Sequence, residues 1–218
     1  METDVTITFN KAHYPVTVLG PGRRLGLWLQ GCSIRCPGCI SKDTWDVRSK
    51  HETTVANLIE GCGRLCAEPP EGITVSGGEP FDQPEALTAL LAGLQAWRRE
   101  FPSPCDILVY SGYDLEYLSR THPDILTLID VLIPGPFVDD TTAPVRWRGS
   151  DNQTIVLLTP LGRAHWASLD LDAPHQKSLQ VEVDETSIWA IGIPRLGDME
   201  ALSRLAAERG LVFGGVSW

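Results

Sequence analysis

The chain has 218 residues, of which 43% are hydrophobic and 21% charged, and a formal net charge of −10. That is ordinary globular composition, long enough for one large domain. The acidic balance argues against nonspecific nucleic-acid binding, which needs a basic surface, and no apolar run approaches the ~20 residues of a membrane span. The pairs Arg23-Arg24 and Arg98-Arg99, and Arg146 with Arg148, are too short for an electrostatic footprint and read as solvated surface or local anion contacts. The start, METDVTITFN, shows no basic segment leading into an apolar core, so a cytoplasmic protein is expected. Six cysteines in a reducing compartment, several of them clustered, point to metal binding and not to disulfides.

In chain order, VTITF (5–9) alternates like a first strand, and the glycine- and proline-rich PVTVLGPGRR turns into a second, LGLWLQ. Thr53 and Thr54 are set to cap a helix running to about Glu68, with Val55, Leu58, Ile59, Cys62, Leu65 and Cys66 as its buried stripe. Cys62 and Cys66, one helical turn apart on that stripe, read as buried thiols. Ile73 to Val75 is a short strand ending in Gly77-Gly78. Asp82 is then expected to cap a second helix, with Pro84 in its first turn and Leu87, Leu90, Leu91, Leu94 and Trp97 facing inward. A strand at 106–110, a helical stretch from Asp114 to Arg120 and an apolar run from Ile125 to Ile133 follow, the last stopping at Pro134-Gly135-Pro136.

Residues 137–152 form a long irregular, lid-like stretch. TIVLL (154–158) reads as a strand, and 159–176 carries no strong pattern. A hairpin is predicted around Asp184-Glu185-Thr186, then a helix capped by Asp198 with Leu202, Leu205 and Ala206 inward, and a closing strand in LVFGGVSW. Alternating strands and helices predict parallel strands with crossovers. The glycine-rich pieces all follow strands, so they share the C-terminal rim where such folds build active sites.

The chemistry centres on LGLWLQGCSIRCPGCI (25–40), a strand that breaks into Cys32, Cys36 and Cys39. Pro37 and Gly38 make this a turn-rich loop. Three thiolates form a soft set suited to iron–sulfur or zinc. A closed zinc site or a fully ligated cluster wants four, so the loop leaves one position open. The plain alternative is a structural zinc knuckle completed by His13 or His51. Trp28, Trp45, Trp97 and Trp189 read as core, and Trp147 as a ligand stack or a loop anchor.

Cys32-x3-Cys36-x2-Cys39 resembles the cluster-binding motif of the radical S-adenosylmethionine (SAM) enzymes, and Ser76-Gly77-Gly78-Glu79-Pro80 resembles their methionine-binding motif. With VYSGYDLEYL, DVLIPGPF and WRGSDNQ in that order, the chain is most similar to the activating proteins of anaerobic ribonucleotide reductase and related glycyl-radical enzymes. The resemblance implies an α/β fold, a partial (β/α) TIM-like barrel over residues 1–158; residues 159–218 extend past it, and their hairpin and helix are expected to pack on the barrel as one domain or to dock a partner. It implies a [4Fe-4S] cluster on Cys32, Cys36 and Cys39, and SAM contacts from Gly38, Gly77, Gly78 and Glu79. Ser111 and Tyr113 fall on the adenosine or ribose side, with the Pro134-Gly135 turn and Asn152 as further contacts.

The implied reaction is reductive cleavage of SAM to a 5′-deoxyadenosyl radical that activates a glycyl-radical partner, with flavodoxin or ferredoxin as electron donor. No acid, base or nucleophile is required. The alternatives are radical modification of a small molecule or peptide, and an iron–sulfur redox sensor without turnover.

Overall fold

The computed structural model describes residues 4–47, 51–139, 146–171, 178–183, 187–195, 197–211 and 213. Seven strands build one mixed sheet: β1 (Thr6–Val16), β2 (Arg24–Leu29), β3 (Glu52–Thr54), β4 (Gly72–Gly77), β5 (Asp106–Tyr110), β6 (Val131–Ile133) and β7 (Val156–Leu157). Their order is β3-β1-β2-β4-β5-β6-β7. The central four, β2, β4, β5 and β6, run parallel in register, with Leu27 beside Val75 and Val75 beside Val109. β1, β3 and β7 pair antiparallel on the flanks. The result is a mixed α/β sheet with a parallel centre, and among the described residues its ends β3 and β7 do not join.

Helices α1 (Val55–Leu65) and α2 (Pro84–Arg98) cross between the parallel strands, as do the short α3 (Leu115–Thr121) and α4 (Pro123–Leu126). After β7 come α5 (Pro160–Trp166), a separate hairpin of β8 (Leu179–Val183) and β9 (Ile188–Gly192), and α6 (Asp198–Glu208).

Alternation along the strands divides the core into two sides. Leu25, Leu27, Leu29, Ile73, Val75, Ile107, Val109 and Leu132 face the helices, where Leu87, Leu90, Leu91 and Leu94 of α2 are fully buried. Truncating one of these leucines would cost about 2–5 kcal/mol. On the other face, Leu108, Val131 and Ile133 pack against Trp166 of α5, while Trp28 packs against Ile191 of β9. A strand covered on both faces reads as a continuous apolar run, and β2, β5 and β6 do.

Several local expectations need correction. The first strand continues to Val16, because it pairs with both β2 and β3. The α1 stripe loses Leu65, 39% exposed at the helix end. Asp82 caps nothing: Gln83 is the N-cap of α2, and Asp82 is turned elsewhere. Of the two readings of the Arg23-Arg24 pair, Arg24 takes the anion contact and not the surface: it is fully buried, paired with Asp106 at 2.9 Å. TIVLL shrinks to a two-residue edge strand. The unpatterned 159–176 segment contains α5, capped by Thr159 with Pro160 in its first turn.

Gly197 occupies the N-cap of α6 in place of Asp198, whose carboxylate accepts from Arg195 N–H, and Leu205 is 56% exposed. The predicted hairpin is present, but its turn at 184–186 lies outside the described residues, as do 140–145 of the lid-like stretch, His175, and most of the predicted closing strand. No described helix is long and apolar enough to cross a membrane.

Candidate functional site

The parallel strands all end at one rim, and the segments that follow them enclose a cavity of about 530 Å³. Its lining includes Cys32, Cys36, Gly38 and Cys39 after β2, and Gly77, Gly78 and Glu79 after β4. Ser111 and Gly112 after β5 and Gly135 after β6 complete the four rim segments. The expected convergence is therefore present.

The cysteine loop is closed at its neck. Gly31 N–H donates to Thr44 O at 2.7 Å, and Cys32 N–H donates to Trp45 O at 2.9 Å. Gln30, fully buried, reinforces that neck by donating to the carbonyls of Asp43 and Asp46. The glycine turn is laced to the same point, with Gly78 N–H on Leu29 O at 2.9 Å and Glu79 N–H on Gly31 O at 2.8 Å. This close approach explains the glycines. Gly77 has φ +101° and a Cβ there would lie 2.5 Å from Leu29 N, while a Cβ on Gly78 would overlap Gly31 O.

Glu79 is 1% exposed. It accepts from Phe81 N–H at 3.0 Å, Ser111 Oγ–H at 2.9 Å and Gly112 N–H at 2.7 Å. Burial pushes its carboxyl up to about 7 in spite of those donors. Ser111 thus serves the cavity through Glu79 and also accepts from Tyr113 N–H. Tyr113 itself is absent from the described lining: its hydroxyl donates to Asp82 at 2.9 Å and lies 3.1 Å from Ser33 Oγ. Asn152 donates to Pro136 O, and its neighbour Gln153 is the one that lines the cavity, donating to Gly135 O.

Burial raises the thiols of Cys32 and Cys39, against the backbone N–H groups of Arg35 and Ile34 at Cys32 and of Ser41 at Cys39. The indole nitrogen of Trp45 is buried without a hydrogen-bond partner, and the indole is one of the lesser influences that favour the charged form of Cys39. An orphaned donor beside a thiolate suits an iron–sulfur centre, whose sulfurs accept such bonds. Trp28 and Trp189 pack in the core as expected and also line the cavity, while Trp45 lines the cavity outside the buried clusters. Trp147 anchors its loop, its carbonyl accepting from Tyr110 and its ring 5.0 Å from Trp166.

The zinc-knuckle alternative finds no histidine. His51 is engaged with Phe9 O at 3.2 Å and His13 with Glu182 at 3.3 Å. No three His, Cys, Asp or Glu side chains among the described residues are grouped as for a single metal ion. Three thiols meeting in one cavity form the soft donor set that an iron–sulfur cluster takes. Cys62 and Cys105 are buried outside the cavity, their thiols pushed up to about 12 by burial, and Cys66 to about 11.

Comparison with known proteins agrees with this geometry. Residues 18–156 match the family described as "4Fe-4S single cluster domain". The anaerobic ribonucleoside-triphosphate reductase-activating protein of Escherichia coli K12 is 38% identical over 148 residues, spanning 66% of this chain and 94% of that protein. The protein of the same description from Enterobacteria phage T4 is 31% identical over 140 residues, 63% of this chain and 86% of its own. The crystal structure of QueE from Escherichia coli superposes with a TM-score of 0.41 at 17% identity, over 49% of this chain and 52% of that one.

Proposed function

We propose, for a chain that belongs to the family of anaerobic ribonucleoside-triphosphate reductase-activating proteins, that Cys32, Cys36 and Cys39 hold three irons of a [4Fe-4S] cluster and leave the fourth to SAM. When bound, a reduced cluster would supply one electron to the sulfonium of SAM, the chemistry by which its C5′–S bond is cleaved and hydrogen is taken from a substrate.

The remaining roles belong to the polypeptide. Gly77 and Gly78 let the backbone run against the neck of the cysteine loop, where a Cβ would meet the backbone of Leu29 and Gly31. Glu79, held by three donors, presents a carboxyl that an arriving ammonium would ionise. Ser111 orients Glu79. Gly38 turns between Cys36 and Cys39 with φ +74°, and the buried indole N–H of Trp45, which lines the same cavity, is left for a cluster sulfur. Tyr113 acts from behind the cavity by steadying the loop that carries Cys32.

The names of the relatives support a protein substrate, a reductase-type partner; the further reading, that a glycine of that partner gives up the hydrogen and that flavodoxin or ferredoxin supplies the electron in the cytoplasm, follows from the motif resemblance. We read the sheet as a partial (β/α) barrel over residues 1–158, and residues 159–218 as its cover within the same domain. Support for that reading comes from the parallel centre and from α5 and β9 packing on the face away from α2.

The observation that carries the proposal is the meeting of the three cysteines with the Gly77–Glu79 turn in one cavity. Anaerobically reconstituted protein given SAM and a strong reductant should release 5′-deoxyadenosine, and Glu79→Ala should weaken SAM binding. Stoichiometric iron and sulfide with no such product, and indifference to Glu79→Ala, would leave a redox sensor.

A further inference from the structure

The β8–β9 hairpin lies outside the 18–156 segment shared with the family, yet it forms one wall of the cavity. Eight consecutive residues, Ser187 through Pro194, line that wall. A strand that presents a face shows alternate residues; one that shows them all presents its edge. β8 pairs with the other edge, from Leu179 opposite Gly192 to Val183 opposite Ile188. Among the described residues the hairpin has two strands only, so the cavity-facing edge of Ile188–Gly192 has no strand beside it.

The edge is held in place. Ile191 is 1% exposed and packs with Val16, Leu19 and Trp28. Trp189 meets His13 at 5.2 Å and Trp28 at 5.5 Å, ring centre to ring centre, under the Lys11 ammonium at 4.8 Å. Gln180 fixes β8 to the end of β1 by accepting from Thr17 N–H and donating to Pro15 O. A half-buried edge with no strand beside it among the described residues calls for a partner. A small ligand would satisfy one or two of them, whereas an extended chain matches their spacing of about 3.3 Å per residue along the whole edge.

We propose that the free edge of β9 binds an extended segment of a polypeptide substrate, which adds as a third strand to the hairpin and is carried past the cysteine loop. The proposal rests on the reading of a protein substrate above, and on the edge being continuous with the cavity that holds Cys32, Cys36 and Cys39. Backbone pairing supplies affinity without fixing sequence, so selectivity falls to side chains that reach the rim.

The test uses cluster-loaded protein and a capped heptapeptide, Ac-Thr-Val-Thr-Gly-Thr-Val-Thr-NH2, at millimolar concentration. Hydrogen exchange read residue by residue should slow by about tenfold at alternate amides within Ile188–Gly192. Peptides N-methylated on one set of alternate residues should lose this protection, and those methylated on the other set should keep it. Unchanged β9 amides, or equal binding by both methylated series, would overturn the proposal. 5′-Deoxyadenosine is assayed on the same sample: its absence would remove the radical reading while leaving the β9 result to stand or fall separately.

Discussion

Asp82 holds Ser33 with both carboxylate oxygens, one accepting from the Ser33 backbone N–H at 2.7 Å and the other from its hydroxyl at 2.9 Å. Tyr113 donates to the same carboxylate at 2.9 Å. Ser33 is next to Cys32, so this knot ties the first thiol of the cysteine loop to the segments that follow β4 and β5. Hydrogen bonds to a charged acceptor contribute more than neutral ones. Asp82→Ala should therefore leave the fold intact by circular dichroism at a cost of about 1–3 kcal/mol, while iron is lost to a chelator several-fold faster. Unchanged iron retention would mean that the loop is held by its cysteines alone.

Glu79 gives the metal-free protein a pH signature. Its ordinary value is 4.5 and the folded value is about 7, so between them the folded state keeps a proton that the unfolded state has released. Its contribution to stability is present below about 4.5 and is lost as pH rises toward 7, a swing on the order of 3 kcal/mol. Denaturant midpoints of the apoprotein should show this decline, and Glu79→Gln should flatten it. A decline of equal size in the variant would assign it to other groups.

Cys62 and Cys66 make a second, opposite test. Cys62 belongs to α1 and Cys66 is its C-cap, both on the helix side of the sheet. Iron content should be unchanged in Cys62→Ser and Cys66→Ser, with Cys62→Ser costing about 1–3 kcal/mol for a buried hydroxyl. Loss of about half the iron would reveal a second cluster.

At the opposite end of the strands, Arg24 and Asp106 are 0% and 1% exposed and 2.9 Å apart. Burial alone would raise the Asp106 carboxyl, but Arg24 outweighs it, and hydrogen bonds from His165 and Trp166 help hold it below its ordinary value. Asp106→Ala strands the guanidinium and should destabilise by about 3–5 kcal/mol in thermal or urea unfolding. Because Trp166 belongs to α5, the same variant should loosen the C-terminal extension, seen as faster amide exchange in Pro160–Trp166. A loss below 1 kcal/mol would show the pair to be replaceable by water.

Local patterns were readable in the sequence wherever one segment settles its own structure. The cysteine spacing, the Gly77-Gly78 turn, the Thr54 cap of α1 and the alternation of β8 and β9 depend on neighbours in the chain, and the structure keeps them. What was not readable depends on partners far away. Asp82 looks like a helix cap until Ser33, nearly fifty residues earlier, takes its carboxylate. Arg24 beside Arg23 reads equally as surface or as an anion contact until Asp106 and Thr74 close around it. Trp45 looks like core because indole is apolar, and only its nitrogen beside Cys39 separates the two readings. α5 was missed although Thr159-Pro160 is a start signal, because Gly162 breaks the apolar pattern where the helix crosses the Asp130 carbonyl.

The account turns on one iron that no side chain of this chain ligates. The direct measurement is electron–nuclear double resonance on the reduced, reconstituted protein with SAM carrying 15N in its methionine amino group. A 15N coupling that appears on addition of SAM, and is absent from a Cys36→Ala variant, is the predicted result. A cluster signal unaltered by SAM, or a nitrogen coupling already present before its addition, would place a protein ligand on that iron and contradict the account.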